Sequence, residues 1–155
     1  MLVYLLVAGD PGYSATVQHG LIAATTDQST GIIWAIAAYQ NTSVTGTLST
    51  IGRGSANTDK IIAQNGAGTT YAAGLARAYT GGGYSDWYLP SKDELNKLFL
   101  NRVLFSTAPD KLYWSSSEWV DPSETSWFQV FDDSGYQGGG GKFEGTIYVR
   151  AFRSF

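Results

Sequence analysis

A chain of 155 residues with a formal charge of −3 fits one domain, long enough to bury most of its apolar surface. Hydrophobic residues at 43% and aromatic ones at 14% exclude a disordered chain, while a charged fraction of only 15% leaves a surface of Ser, Thr, Asn and Gly. The absence of cysteine excludes a disulfide framework, a thiolate metal site and a cysteine nucleophile, and the acidic balance argues against bulk nucleic-acid binding.

In chain order, residues 2–8 read as a fully buried strand, too short to span a bilayer and without the flanks of a signal peptide. Gly9-Asp10-Pro11-Gly12 ends it with turn chemistry, and residues 20–24 form a second strand able to pair with the first. A turn at 27–31 precedes Ile32-Ile33-Trp34, which returns to the core, and residues 41–55 read as a surface loop. Asn57 is the expected N-cap of a helix over 58–64 that Gly66 ends, and Thr69 that of a second helix running to Ala78.

Gly81-Gly82-Gly83 then leads into the stretch around which the chain is organised, Asp86-Trp87-Tyr88-Leu89-Pro90-Ser91-Lys92-Asp93-Glu94-Leu95. Pro90 keeps Leu89 extended. Ser91 can cap a third helix, and Glu94 can reach back to the Ser91 N–H to complete a capping box. Leu95, Leu98 and Phe99 give that helix, over about 92–102, one apolar stripe. Beyond it the pattern changes to period two, predicting strands at 112–116, 126–131 and 146–152, with 138–141 as a flexible hairpin tip. The architecture is α+β, with N- and C-terminal strands paired, helices in the middle and short aromatic strands in the C-terminal half. The whole chain, 1–155, reads as one domain cut from a longer surface protein.

Tyr113-Trp114-Ser115-Ser116-Ser117-Glu118 is a second marker. Together with Asp86-Trp87-Tyr88-Leu89-Pro90-Ser91, Glu94-Leu95 and the ending Val149-Arg150-Ala151-Phe152-Arg153-Ser154-Phe155, it resembles the C-terminal domain of the Legionella collagen-like adhesin and its relatives. His19-Gly20-Leu21-Ile22-Ala23-Ala24, Asp27-Gln28-Ser29, Gly52 and Asn57-Thr58 agree with that resemblance. The glycine-rich lead-in to the first strand is missing. The resemblance implies a C-type-lectin-like fold, a homotrimer, an extracellular or cell-surface location and recognition of glycans, sulfated polysaccharides included. The Leu-Pro-Ser-x-x-Glu-Leu helix start and the Arg-x-x-Arg ending are also similar to formylglycine-generating enzymes and to phage and retroelement variable proteins. The cysteines of the formylglycine chemistry are absent. Fold does not carry function with it, so each site needs its own argument.

Charge distribution gives one such argument. Glu118, Asp121, Glu124, Asp132 and Asp133 fall in 118–133 without a Lys or Arg, so the remainder holds ten basic against eight acidic side chains, a net of +2. Candidate ligand-binding residues are Lys92, Lys97 and Arg102 on the third helix, Lys142 after the glycine run, and Arg150; Arg150 and Arg153 could hold a sulfate, or one or both could pair with Asp86 or Glu94 and pin the last strand to the third helix. Trp119 and Trp127 flank the acidic loop and are candidate sugar platforms, whereas Trp87 and Trp114 lie inside fold motifs and read as core. The acidic run invites calcium, yet Asp132-Asp133-Ser134-Gly135 is equally an ordinary turn, so no metal or cofactor is expected. His19, the only histidine, reads as a residue bonding its own loop. The expected function is that of a non-enzymatic, surface-displayed module binding a glycan, with no nucleic-acid partner and no membrane insertion. A structural or receptor-binding tip of a phage fibre or pilus-like assembly is the alternative, and an enzyme with a site hidden from sequence is the third. Converging cations would favour a polyanion; a deep pocket with shifted carboxylates would favour the enzyme.

Overall fold

The computed structural model describes residues 1–105, 109–119 and 123–155. Its organising point is the start of helix α3 (Lys92–Leu100). Ser91 Oγ accepts from Glu94 N at 3.3 Å, and Glu94 Oε2 accepts from Ser91 N at 2.8 Å, so the capping box is complete. The same carboxylate accepts from Gly52 N at 2.8 Å, and Ser91 Oγ donates to Thr50 O, which staples the preceding loop to the helix start. Leu95, Leu98 and Phe99 point inward as their spacing requires.

Two earlier helices precede it, α1 (Gly54–Asn65) and α2 (Ala72–Ala78). Asn57 does not cap α1. The helix begins four residues sooner, at Gly54, and the buried Asn57 amide instead bonds Leu48 O and N across the loop. Thr69 does not cap α2 either, because that helix starts later, after an extended Tyr71 with no side-chain cap. Gly66 does end α1, at φ 82°, where a side chain would be strained.

Two antiparallel sheets flank the helices. The first has the order β1 (Leu2–Leu5), β2 (Gly20–Ala23), β6 (Phe152–Ser154). The C-terminal strand thus pairs with β2 in the centre, and β1 lies outside it. That position explains why β1 is not fully buried: Leu2 is 53% exposed, and the strand ends at Leu5 rather than running to residue 8. Residues 146–152 do not form one long strand. They pass through single bridges, Val149 to Ser29 and Tyr148 to Tyr113, and only the end becomes β6.

The second sheet has the order β3 (Leu112–Glu118), β4 (Thr125–Val130), β5 (Gln137–Gly141). The glycine run is therefore an edge strand in continuous register with β4, not a flexible tip. Rings explain how glycines hold a strand. Where Gly140 would carry a Cβ stand Phe128, Trp114 and Ile147; Tyr136 occupies the place beside Gly138, Trp119 that beside Gly139, and Phe143 that beside Gly141. Aromatic side chains supply the packing that the strand's own residues lack.

Between the sheets and α1–α2 lies a core containing Trp34, Trp87, Leu89, Trp114, Ile147 and Val149. Each of its tryptophans finds a backbone acceptor for the indole N–H: Trp34 on Ser115 O at 2.8 Å, Trp114 on Ile32 O at 2.8 Å, Trp87 on Gly81 O at 3.1 Å. A second cluster joins Leu95, Leu98, Phe99, Tyr113 and Phe131 under α3. Among the described residues no helix is long and apolar enough to cross a membrane.

Candidate functional site

The cations named from the sequence do not meet. Lys92 and Lys97 stand five residues apart on α3 and, at about 100° per residue, point about 140° apart around it, while Arg102 lies beyond the helix, which ends at Leu100, in a separate 3-10 turn (Arg102–Leu104). Lys92 accordingly lies 4.5 Å from the centre of the Trp127 ring, Lys97 lies 4.2 Å from that of Tyr4, and Arg102 lies over Phe99 with Asp133 at 3.7 Å. Each serves a different neighbour.

Lys142 and Arg150 are not on the surface at all. Lys142 is fully buried, donates to Thr42 O at 2.8 Å and pairs with Glu118, whose other oxygen accepts from Val44 N at 2.8 Å. This is a structural clamp between the 41–47 loop and β3, out of reach of a surface ligand. Arg150, 1% exposed, bonds Asp27 at 2.6 Å and Ala24 O at 3.0 Å, rather than Asp86 or Glu94. Arg153 takes the pinning role: it grips Asp86 through two bonds of 2.7 and 3.0 Å, and that bond holds the Asp86 carboxyl below its usual range. The +2 balance outside the acidic run thus gives no basic face, because two of its cations are consumed inside the fold.

The acidic run is divided as well. Glu118 faces inward to Lys142, and Asp132 folds onto Ser134 and Gly135 as a turn, with its pKa lowered chiefly by the Ser134 hydroxyl. Asp121 lies outside the described residues. Among those described, no three His, Asp or Glu side chains group so as to hold a metal ion. His19 bonds the far end of the chain, Nδ1 to Phe155 O at 3.0 Å, rather than its own loop, at the mouth of an open groove of about 470 Å³.

Trp119 and Trp127 do come together. Their ring centres are 4.1 Å apart and the planes are tilted by 42°. Trp127 belongs to β4 and stands opposite Gly139 of β5. The point where Gly139 would carry a Cβ is 3.1 Å from both Cδ2 and Cε3 of Trp119 and 3.4 Å from Cγ, so that half-buried ring lies face-on to the strand. Alternation puts Trp127, Gly139 and Gly141 on one side of the sheet. Phe143, 61% exposed, lies on that side over Gly141. At the far end the same side is closed by α3, where Gln129 donates to Asn96 and Gln137 to the carbonyl of Lys92. Among the described residues, what stays at least partly exposed on this side is a strip of Phe143, Trp119 and Trp127, bordered by Lys92.

Unlike the core tryptophans, Trp119 and Trp127 have no acceptor for the indole N–H among the described residues. The strip therefore combines half-buried aromatic rings with indole donors that have no acceptor among the described residues, beside Lys92 at one end and Glu144 at the other. Gly139, Gly141 and Phe143 were not singled out from the sequence. The one signal in the sequence was the set of aromatics near the glycine run, Tyr136 before it and Phe143 after it; the register that makes it a strand comes only with β4.

The match to the family model of the Lcl C-terminal domain covers residues 23–153. The chain belongs to that family. No curated protein matches it. Within the family frame, the Trp-Tyr-Leu-Pro-Ser helix start and the Tyr-Trp-Ser-Ser-Ser strand β3 are the parts that build the core, since Tyr88, Leu89, Ser91, Tyr113 and Trp114 are all buried.

Proposed function

We propose that this Lcl-type domain is a non-enzymatic, adhesin-type module of a cell surface that binds a saccharide on the strip of Trp119, Trp127 and Phe143. The observation that carries the reading is the half-buried Trp119 ring, laid flat on a glycine beside Trp127, its indole N–H without an acceptor among the described residues. A pyranose presents an apolar face for such a ring and hydroxyls for such a donor. Lys92 beside Trp127 gives room for one anionic substituent, and a sulfated sugar fits there singly.

The dispersed cations speak for stacking over charge as the main source of affinity. Family membership supports the adhesin-type role and the surface location. The non-enzymatic reading is supported by Glu94: burial pushes its carboxyl up to about 7, yet both its oxygens are used by the backbone amides of Ser91 and Gly52.

A glycan array probed with the wild-type domain and with the double variant Trp119→Ala/Trp127→Ala tests the reading. Saccharides bound by the first and lost by the second support it. Binding that survives the double substitution, or an array blank for both, contradicts it. Heparin retention that falls steeply with salt and ignores the tryptophans would instead indicate a charge-driven surface.

A further inference from the structure

A cleft of about 460 Å³ lies between the turn after β2 and helix α2, on elements that take no part in the Trp119–Trp127 strip. We propose that it is a second, independent binding site, for an uncharged polyhydroxylated six-membered ring such as a free pyranose or a cyclitol.

The turn supplies Thr26 and Asp27. The opposite wall comes from Thr69 before α2, Leu75 on it, and Tyr79 and Thr80 after it. Asp27, with its side chain 15% exposed, is held in place by the fold before any ligand arrives. Its carboxylate accepts from Arg150 Nε at 2.6 Å and from the Tyr113 hydroxyl at 3.1 Å. A carboxylate offers about four acceptor sites, so capacity remains for the hydroxyls of a ligand. The turn itself is fixed by Gln28, which donates through Nε2 to Thr26 O at 2.7 Å and accepts through Oε1 from Ala151 N at 2.5 Å.

Charge narrows the ligand class. Asp27 is the one ionisable carboxylate lining the cleft, and the buried Arg150 already neutralises it. A cation would meet no uncompensated carboxylate there, and an anion no lining Lys or Arg. What the walls do offer is hydroxyl chemistry. Thr26, Thr69 and Thr80 are exposed, and their hydroxyls have no partner among the described residues. Each can both donate and accept, which is what a ring of vicinal hydroxyls requires. Between them Leu75 and the half-buried Tyr79 give an apolar surface, and Tyr79 is steadied by Trp87, whose ring centre is 5.0 Å away. A saturated ring has an apolar face for that surface and an equatorial rim for the hydroxyls. The volume falls within the range of about 300–1,000 Å³ usual for small-molecule sites. The cleft is open, so binding is in the millimolar range, and it accepts a free or terminal ring where the strip accepts one laid along a sheet.

Nitrogen–proton spectra of the whole chain, titrated separately with glucose, galactose, mannose and myo-inositol, test the proposal. At least one of the four is expected to move the amide signals of Asp27, Gln28, Thr69 and Thr80 saturably; which one does so separates a sugar from a cyclitol. Ala78→Phe fills the cleft from the exposed end of α2 without removing a hydrogen bond, and should abolish those shifts. Thr69→Val/Thr80→Val changes two exposed positions only, keeps the test open if the helix rejects the phenylalanine, and should weaken binding by about fivefold or more. Trp119→Ala/Trp127→Ala should leave the cleft shifts unchanged, so failure of the strip and failure of the cleft are separate results. Four blank titrations, shifts centred on Trp119 and Trp127, cleft shifts that survive both cleft variants, or cleft shifts lost with the two tryptophans each overturn the proposal.

Discussion

The five tryptophans fall into two groups that the sequence does not distinguish by composition. Trp34, Trp87 and Trp114 are at most 5% exposed and have each committed the indole N–H to a carbonyl. Trp119 and Trp127 are only partly buried, stack on each other and on a glycine strand, and find no acceptor for that donor among the described residues. A ring that must be buried needs an acceptor within the fold; a ring kept at the surface without one has a donor left for something else. The same division separates the cations: Lys142 and Arg150 are internal, while Lys92 stays beside the surface pair.

The largest effect should come from exchanging the two groups in a stability measurement. Trp114→Ala should cost about 3–5 kcal/mol, as expected for deleting a core ring, whereas Trp119→Ala should cost less than about 1 kcal/mol. Urea midpoints decide this, and equal losses would erase the distinction between core and surface rings. Lys142→Ala comes next in certainty of sign. It leaves Glu118 buried without its partner, a change that typically costs about 3–5 kcal/mol, and Lys92→Ala should be nearly silent by the same measurement.

Much of the division was legible in the chain. The capping box was readable because Ser91, Glu94 and the apolar stripe are local, and a local rule needs no knowledge of the partner elements. Trp87 and Trp114 could be assigned to the core because they sit beside that start and in a period-two strand. The helix cap at Asn57 failed for a tertiary reason: the Asn57 amide, buried inside α1, bridges to both backbone groups of Leu48 in the preceding loop. The glycine strand failed for a similar reason. Nothing within 138–141 says strand; the rings that make it one arrive from Trp119, Phe128, Tyr136 and Phe143. Likewise the basic balance could be counted from sequence, but which cations are internal depends on where Asp27 and Glu118 land.

Two smaller effects sharpen the picture around α3. Ser91→Ala should cost about 1 kcal/mol through loss of the cap, visible as a lower midpoint with an unchanged denaturant slope. Burial raises the Glu94 carboxyl from 4.5 to about 7, so the folded protein holds this proton more tightly than the unfolded chain. Its contribution to stability is therefore complete below about pH 4.5 and is lost as the pH rises through about 7. Urea midpoints followed across that window should decline with pH in the wild type and lose that component in Glu94→Gln; the same slope in both would assign it elsewhere.

The most direct test of the division is exchange of the five indole N–H protons with deuterated water, followed in a nitrogen–proton spectrum. The account predicts slow exchange for Trp34, Trp87 and Trp114, which donate to Ser115, Gly81 and Ile32 carbonyls respectively, and loss of the Trp119 and Trp127 signals at the first time point. Protection of Trp119 or Trp127 comparable to that of the core three would show that the surface pair has no donor to offer, and would contradict the proposed binding strip.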